Sequence, residues 1–266
     1  MATTATTYLD GIVARTRVDV AARKASANLA ELERRAAAHT PRGFAAALAA
    51  RAAHGPAIIA ELKKASPSKG LIRADFDPAA LAASLATAGA AALSVLTDEP
   101  YFQGSLQNLS LASAATSIPC LRKDFMVDEF QMLEARANSA DAILLIAAAL
   151  TDDELRTLHA AAKNLSLDVL CEVHSREELD RVATLGCDAY GVNSRNLKSF
   201  EVSLDTAVSL VEHLPATAVR VAESGIHTAA DLARLRTAGY QAFLIGESLM
   251  RQPSPADALR ALLAAS

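Results

Sequence analysis

Ile58-Ile59-Ala60-Glu61-Leu62-Lys63-Lys64-Ala65-Ser66-Pro67-Ser68-Lys69-Gly70 begins as an apolar strand and ends as a polar loop. Between those ends stand a carboxylate, two ammonium groups and a hydroxyl. Successive strand side chains point to opposite faces, so Glu61 and Lys63 share one face and Leu62 takes the other. On an open sheet such a pair is a solvated edge. Inside a closed barrel it becomes a polar site at the C-terminal end of a strand.

The downstream sequence favours the barrel. Strand patterns recur at 57–63, 91–96, 119–123, 142–146, 167–173, 189–193, 219–223 and 242–245. Helical patterns follow each of them, at 78–88, 106–116, 129–138, 152–163, 176–185, 204–212, 229–238 and 255–263. The strands start roughly 20 to 35 residues apart, the spacing of βα units. Helix starts are marked by Asp77-Pro78, by Thr151 with Glu154, by Ser175 with Glu178 and by Thr228 with Asp231. An open doubly wound sheet uses the same alternation, but no G-x-G-x-x-G follows any strand, and the last strand also has its helix. The expected fold is a (β/α)8 TIM barrel, residues 55–266, behind an N-terminal helical extension, residues 1–54, in a single domain. Residues 8 to about 54 read as helix with one break near Thr40-Pro41-Arg42-Gly43.

The bulk composition agrees and excludes other classes. The chain has 266 residues, and an eight-unit barrel needs about 250. Net charge is −4 and the basic residues are scattered, so no nucleic-acid surface is expected. Cys120, Cys171 and Cys187 lack the spacing of a metal site and fall in or beside apolar runs, as small buried thiols do. No cofactor or metal is called for. The N-terminus carries no signal-peptide pattern, and the longest apolar run, 142–150, is too short for a bilayer, so a cytoplasmic location and no membrane partner are expected.

In a TIM barrel the active site lies at the C-terminal strand ends. Those ends carry Glu61 and Lys63 with Ser66 beyond, Lys123, Glu172, Asn193 and Arg195, Glu223-Ser224-Gly225, and Gly246-Glu247. The strand beginnings are apolar, and burying so many charges on one rim without use is expensive. Loops after the seventh and eighth strands commonly hold a phosphate through backbone N–H groups, which suits Ser224-Gly225 and Gly246-Glu247. Lys63 and Lys123 supply cations across the mouth, and Phe102, Phe125 and Leu145 an apolar wall. The expected ligand has a phosphate at one end and a flat apolar group at the other.

Five segments in order resemble the indole-3-glycerol phosphate synthase family: 59–68, 94–104, Arg122-Lys123-Asp124-Phe125, Asn193-Ser194-Arg195-Asn196-Leu197 and Glu223-Ser224-Gly225-Ile226. The resemblance covers nearly the whole chain, and the family also has an N-terminal extension over the barrel mouth. It implies closure of 1-(2-carboxyphenylamino)-1-deoxyribulose 5-phosphate to indole-3-glycerol phosphate, with loss of carbon dioxide and water, in tryptophan biosynthesis. By similarity Lys123 is the general acid of ring closure, a task that calls for a pKa lowered from about 10 by burial and neighbouring cations. Glu172 and Glu61 divide proton acceptance and support of dehydration in an order the residues leave open. Lys63 contacts substrate anions and is a candidate second acid, Asn193 orients a polar group, and Arg195 and Glu223 complete the network. The phosphate is assigned to Ser224, Gly225, Gly246 and Glu247 with Lys63, although a carboxylate at 247, where some family members carry a small hydroxyl residue, would repel phosphate.

Two other readings compete. Phosphoribosylanthranilate isomerase shares the scaffold but wants a cysteine or aspartate acid–base pair where this chain has Glu61 and Lys63. A catalytically dead binding barrel is disfavoured by the filled polar positions. No histidine is given a catalytic role: His174 is read as preceding a helix cap, and His39 as lacking a clear partner. The loop 66–70 is expected to close over substrate, and the chain to be a monomer.

Overall fold

A computed structural model describes residues 7–196 and 199–266. Among them, eight parallel strands close into a barrel, labelled β1 (Ala57–Leu62), β2 (Ala92–Leu96), β3 (Cys120–Lys123), β4 (Ala142–Ile146), β5 (Asp168–Val173), β6 (Ala189–Asn193), β7 (Val219–Glu223) and β8 (Ala242–Ile245). Each strand pairs with its neighbours in sequence, and β8 returns to β1 from Ala57↔Ala242 to Ala60↔Ile245. Helices between the strands form the outer layer, as βαβ crossovers require.

Side-chain alternation sorts the core into two shells. Ile58, Ala60 and Leu62 of β1 join Leu93, Val95, Ile143, Leu145, Val169 and Cys171 against the helices. Ile59 turns inward to meet Leu121, Leu144, Leu170, Val221 and Leu244. Continuing that parity brings Glu61 inside, where it is 2% exposed. The reading of Glu61 and Lys63 as a shared inner face is borne out.

The N-terminal extension runs from the mouth of the barrel to its base. Its helices are α1 (Tyr8–Ser26), α2 (Leu29–Ala38) and α3 (Phe44–Ala52). A break at Ala27 and Asn28, absent from the sequence reading, separates the first two, and the Asn28 side chain accepts from the Glu31 N–H to start α2. The α3 side chains Phe44 and Leu48 are fully buried among the strand beginnings Ala57, Ala92, Ala142 and Ala189, so α3 closes the base. Asp168, at the start of β5, accepts from the Ala45 N–H at 2.9 Å and supplies the cap that Gly43 has no side chain to give.

Helix starts fall where the capping residues place them. Thr151 with Glu154 and Thr228 with Asp231 form complete capping boxes. Ser175 accepts from Glu178, but Glu178 turns its own carboxylate to the His174 N–H at 2.7 Å. Among the described residues, short elements that were not expected include a hairpin pairing Ala65–Ser66 with Gly70–Leu71, the helices Glu99–Phe102 and Glu247–Met250, and a 3-10 turn at Ala147–Ala149. Cys120, Cys171 and Cys187 are free and buried. Among the described residues, no helix is long and apolar enough to cross a membrane.

Candidate active site

The C-terminal strand ends surround a mouth of about 1060 Å³, part of it open to solvent. At its centre the Lys123 ammonium, on β3, donates to Glu172 Oε2 of β5 at 3.0 Å and lies 3.9 Å from Glu223 Oε2 of β7. Lys63 and Glu61 form an ion pair on β1. Asn193, on β6, donates from Nδ2 to Glu172 Oε1 at 3.1 Å, and its Oδ1 accepts from the Arg195 N–H at 3.0 Å. Five of the eight strands thus contribute polar groups to the mouth.

Two glycines make room for the carboxylates. A Cβ on Gly191 of β6 would run into Glu223 Oε1, and one on Gly246 after β8 would run into Glu61 Oε1. Gly246 therefore has a steric duty besides any backbone contact with a ligand. After β7 the backbone takes two left-handed residues in succession, Ser224 at φ 65° and Gly225 at φ 78°. Ser224 accepts a conformation that side chains disfavour, and such strain is found where a loop must present its backbone in one way.

Burial and mutual charge set the protonation states. Burial alone lowers the pKa of Lys123, but the carboxylates of Glu172, Glu223 and Glu61 reverse that effect, and its net shift is upward. The expectation of a lysine tuned towards neutrality is corrected: carboxylates, not cations, are its nearest charges. Burial raises Glu172, yet Lys123, His174 and Asn193 together hold it well below the usual carboxylate range. Glu223 is pushed up to about 8, by burial first and by the Glu172 charge second, with Lys123 opposing. The centre is thus a lysine ammonium, a carboxylate and a carboxylic acid.

The apolar side is formed by Phe102 and Phe125, whose ring centroids lie 6.3 Å apart at an interplanar angle of 40°. Leu144 and Ile146 of β4 continue this wall. Leu145, expected there, instead packs outward against the helices. A strand reverses face at every residue, so the wall belongs to its two neighbours. Tyr8, Leu9 and Ile12 of α1 cover the mouth from above.

A model of the indole-3-glycerol phosphate synthase family matches residues 9–262. The chain belongs to the indole-3-glycerol phosphate synthase family. The indole-3-glycerol phosphate synthase of Koribacter versatilis is 62% identical over 255 residues, covering 96% of this chain and 98% of its own. That of Rhodospirillum rubrum is 53% identical over 251 residues, covering 93% and 95%. A 3-hexulose-6-phosphate synthase superposes with a TM-score of 0.63 at 16% identity, over 79% of this chain and 99% of that one, and shows the fold alone.

Most residues singled out in the sequence, from the strand ends or from resemblance to the synthase family, converge on this mouth. Lys123, Glu172, Glu61, Lys63, Asn193, Ser66, Phe102, Phe125, Arg195, Glu223, Ser224 and Glu247 line it. Gly225 and Gly246 line a smaller recess continuous with it, beside Lys63, Ser224 and Glu247. Glu247 is paired with Arg251 at 3.0 Å and lies 3.9 Å from Arg195, which offsets its charge. Leu197 of the fourth matched segment lies outside the described residues.

Sequence reasoning missed what stands behind this synthase-family site. Arg122, on the outward face of β3, is 1% exposed; it donates to Asp124 Oδ2 at 2.8 Å, to Thr97 Oγ1 at 3.1 Å and to the Gln131 carbonyl at 2.9 Å. Glu134 pairs with Arg122 at 3.3 Å and with Arg23 of α1 at 2.8 Å, linking the extension to the strand that carries Lys123. His39, expected without a partner, lies 3.0 Å from Asp141, which Arg42 also holds. The pairs made by Arg23, His39 and Arg42 join residues about a hundred positions apart, and no local pattern signals them.

Proposed function

We infer that the protein is an indole-3-glycerol phosphate synthase, which closes 1-(2-carboxyphenylamino)-1-deoxyribulose 5-phosphate to indole-3-glycerol phosphate with release of carbon dioxide and water. Lys123 carries this reading: in a family member's barrel mouth, its ammonium stands 3.0 Å from Glu172, between an aromatic wall and a glycine-bordered recess that holds Lys63 and Arg195. A substrate with an aromatic carboxylate at one end and a phosphate at the other fits across that span.

Held between carboxylates, Lys123 is protonated before the substrate arrives. Ring-carbon attack places negative charge on the substrate carbonyl oxygen, and the ammonium donates its proton there. Anchoring both substrate ends brings the attacking ring carbon to the carbonyl and removes much of the entropic barrier. The substrate carboxylate or phosphate draws Lys63 away from Glu61, which leaves the Glu61 carboxylate free to accept a proton in the dehydration. Glu172, already ionised, balances positive charge on the aryl nitrogen as the indole forms. Ser224, Gly225 and Gly246 present backbone groups to the phosphate, with Ser66 and Arg195 at its sides. The enzyme acts in the cytoplasm, as a step of tryptophan biosynthesis.

The test is direct: the purified chain is incubated with the carboxyphenylamino-deoxyribulose phosphate and indole fluorescence is followed. Product should form at micromolar enzyme. No product there, with the fold intact by circular dichroism, would overturn this reading in favour of another phosphate-binding barrel.

A further inference from the structure

Glu172 is held by three side chains, and one of them is not part of the mouth. Lys123 takes its Oε2 and Asn193 donates to its Oε1. The third is His174, whose Nε2 lies 3.3 Å from Oε1, within ion-pair reach but not aligned for a hydrogen bond. His174 lines an adjoining cavity that shares only Leu9, Asn193 and Arg195 with the mouth. Its Nδ1 lies 3.3 Å from Glu178 Oε2, the same oxygen that accepts the His174 backbone N–H. The ring is thus lodged between two carboxylates, with 10% of its side chain exposed. Ser175 caps the helix, but the Glu178 carboxylate does not complete a capping box and reaches back to the histidine instead.

We propose that His174 is a positioning residue for the synthase reaction, an imidazolium clamped between Glu172 and Glu178 that keeps Glu172 ionised and its Oε1 fixed. A neutral imidazole has one N–H and one lone pair, so it would aim that lone pair at one of the two carboxylates; only the doubly protonated ring satisfies both. The charged groups around the ring are Glu172 on its own strand, Glu178 and Arg181 on the next helix, Asp10 on α1, and Arg195 and Glu201 after β6. Burial disfavours the cation, but Glu172 and Glu178 outweigh it and push His174 up to about 9.

The consequence concerns where the proton of Lys123 goes. When Lys123 gives it up, Glu172 loses its nearest cation, and an otherwise unsupported buried carboxylate would compete with the substrate for that proton. The imidazolium at Oε1 keeps Glu172 a poor proton acceptor at that moment, which directs the proton to the substrate carbonyl.

This inference rests on reading the mouth as a synthase site, so its test has an arm that does not need turnover. In protein labelled with 15N-histidine, the His174 ring nitrogens should report a doubly protonated ring at pH 7.5, and Glu178→Gln should lower the midpoint by about one pH unit. A neutral ring in the wild type at that pH overturns the proposal. In the kinetic arm, His174→Gln should lower kcat about tenfold at pH 7.5 with KM within about twofold, and move the acid limb of the kcat profile to higher pH. A profile superimposable on that of the wild type overturns the proposal as well. Absence of turnover in the wild type would count against the synthase reading and leave the ring's protonation to be judged by the nitrogen spectra.

Discussion

Gly191 on β6 leaves open the space that the Glu223 carboxyl group of β7 occupies beside Lys123. The backbone of Gly191 is not in a left-handed conformation, so alanine suits it locally, and the main obstacle is the carboxyl group, with Leu170 Cδ1 next at 3.3 Å. Gly191→Ala should therefore fold, with a stability loss of about 1–3 kcal/mol from overpacking. Turnover should fall at least about tenfold, because the displaced Glu223 disturbs Lys123. Paired thermal melts and kcat measurements check this, and unchanged kcat would mean that the position of Glu223 is immaterial.

Lys123→Ala removes the proposed general acid. A loss of about 10²–10⁴-fold in kcat is the usual scale for such a group. The fold should survive, because Glu223 is already protonated and Glu172 keeps His174 and Asn193 as partners. Binding of a product analogue by calorimetry should change little. Near-normal turnover would refute the general-acid role even within the family.

The raised pKa of Glu223 has a thermodynamic signature. Its carboxyl group is pushed up to about 8 in the folded protein, whereas an unfolded glutamate titrates near 4.3. Between those values the folded state binds a proton that the unfolded state has released, so stability falls as pH rises through that window. Glu223→Gln deletes the titrating group, and its thermal midpoint should fall less steeply than that of the wild type between about pH 5 and pH 8. Parallel curves would show that Glu223 is already ionised in the folded protein.

Neighbouring leucines on β4 separate site from scaffold. Leu144 lines the mouth and Leu145 packs against the outer helices. Leu145→Ala should cost about 2–5 kcal/mol of stability while kcat/KM at low temperature stays near that of the wild type. Leu144→Ala should raise KM as well. Denaturant titration and steady-state kinetics on both variants decide the point, and an equal rise in KM for the two would contradict the assigned faces.

The amino-acid order alone carried the architecture. Strand and helix periods alternated visibly, capping residues such as Thr151, Thr228 and Asp77 marked helix starts, and parity along β1 predicted that Glu61 and Lys63 point the same way. Those signals are local, set by side-chain direction and by backbone groups within four residues. The same parity was available for β4, where applying it would have chosen Leu144 and Ile146 over Leu145.

Only the tertiary structure decided the electrostatics. That Lys123 would face three glutamates, that Glu223 would be protonated, that the Glu178 carboxylate would turn to His174, and that Gly191 and Gly246 clear space for carboxyl groups all depend on barrel closure. Charge interactions and burial act through space over a few ångströms, between residues tens of positions apart in the chain, and a linear sequence does not carry those distances. Ile58 through Gly70 announced a polar strand end; the strands β3, β5, β6 and β7 determined which of its neighbours hold protons.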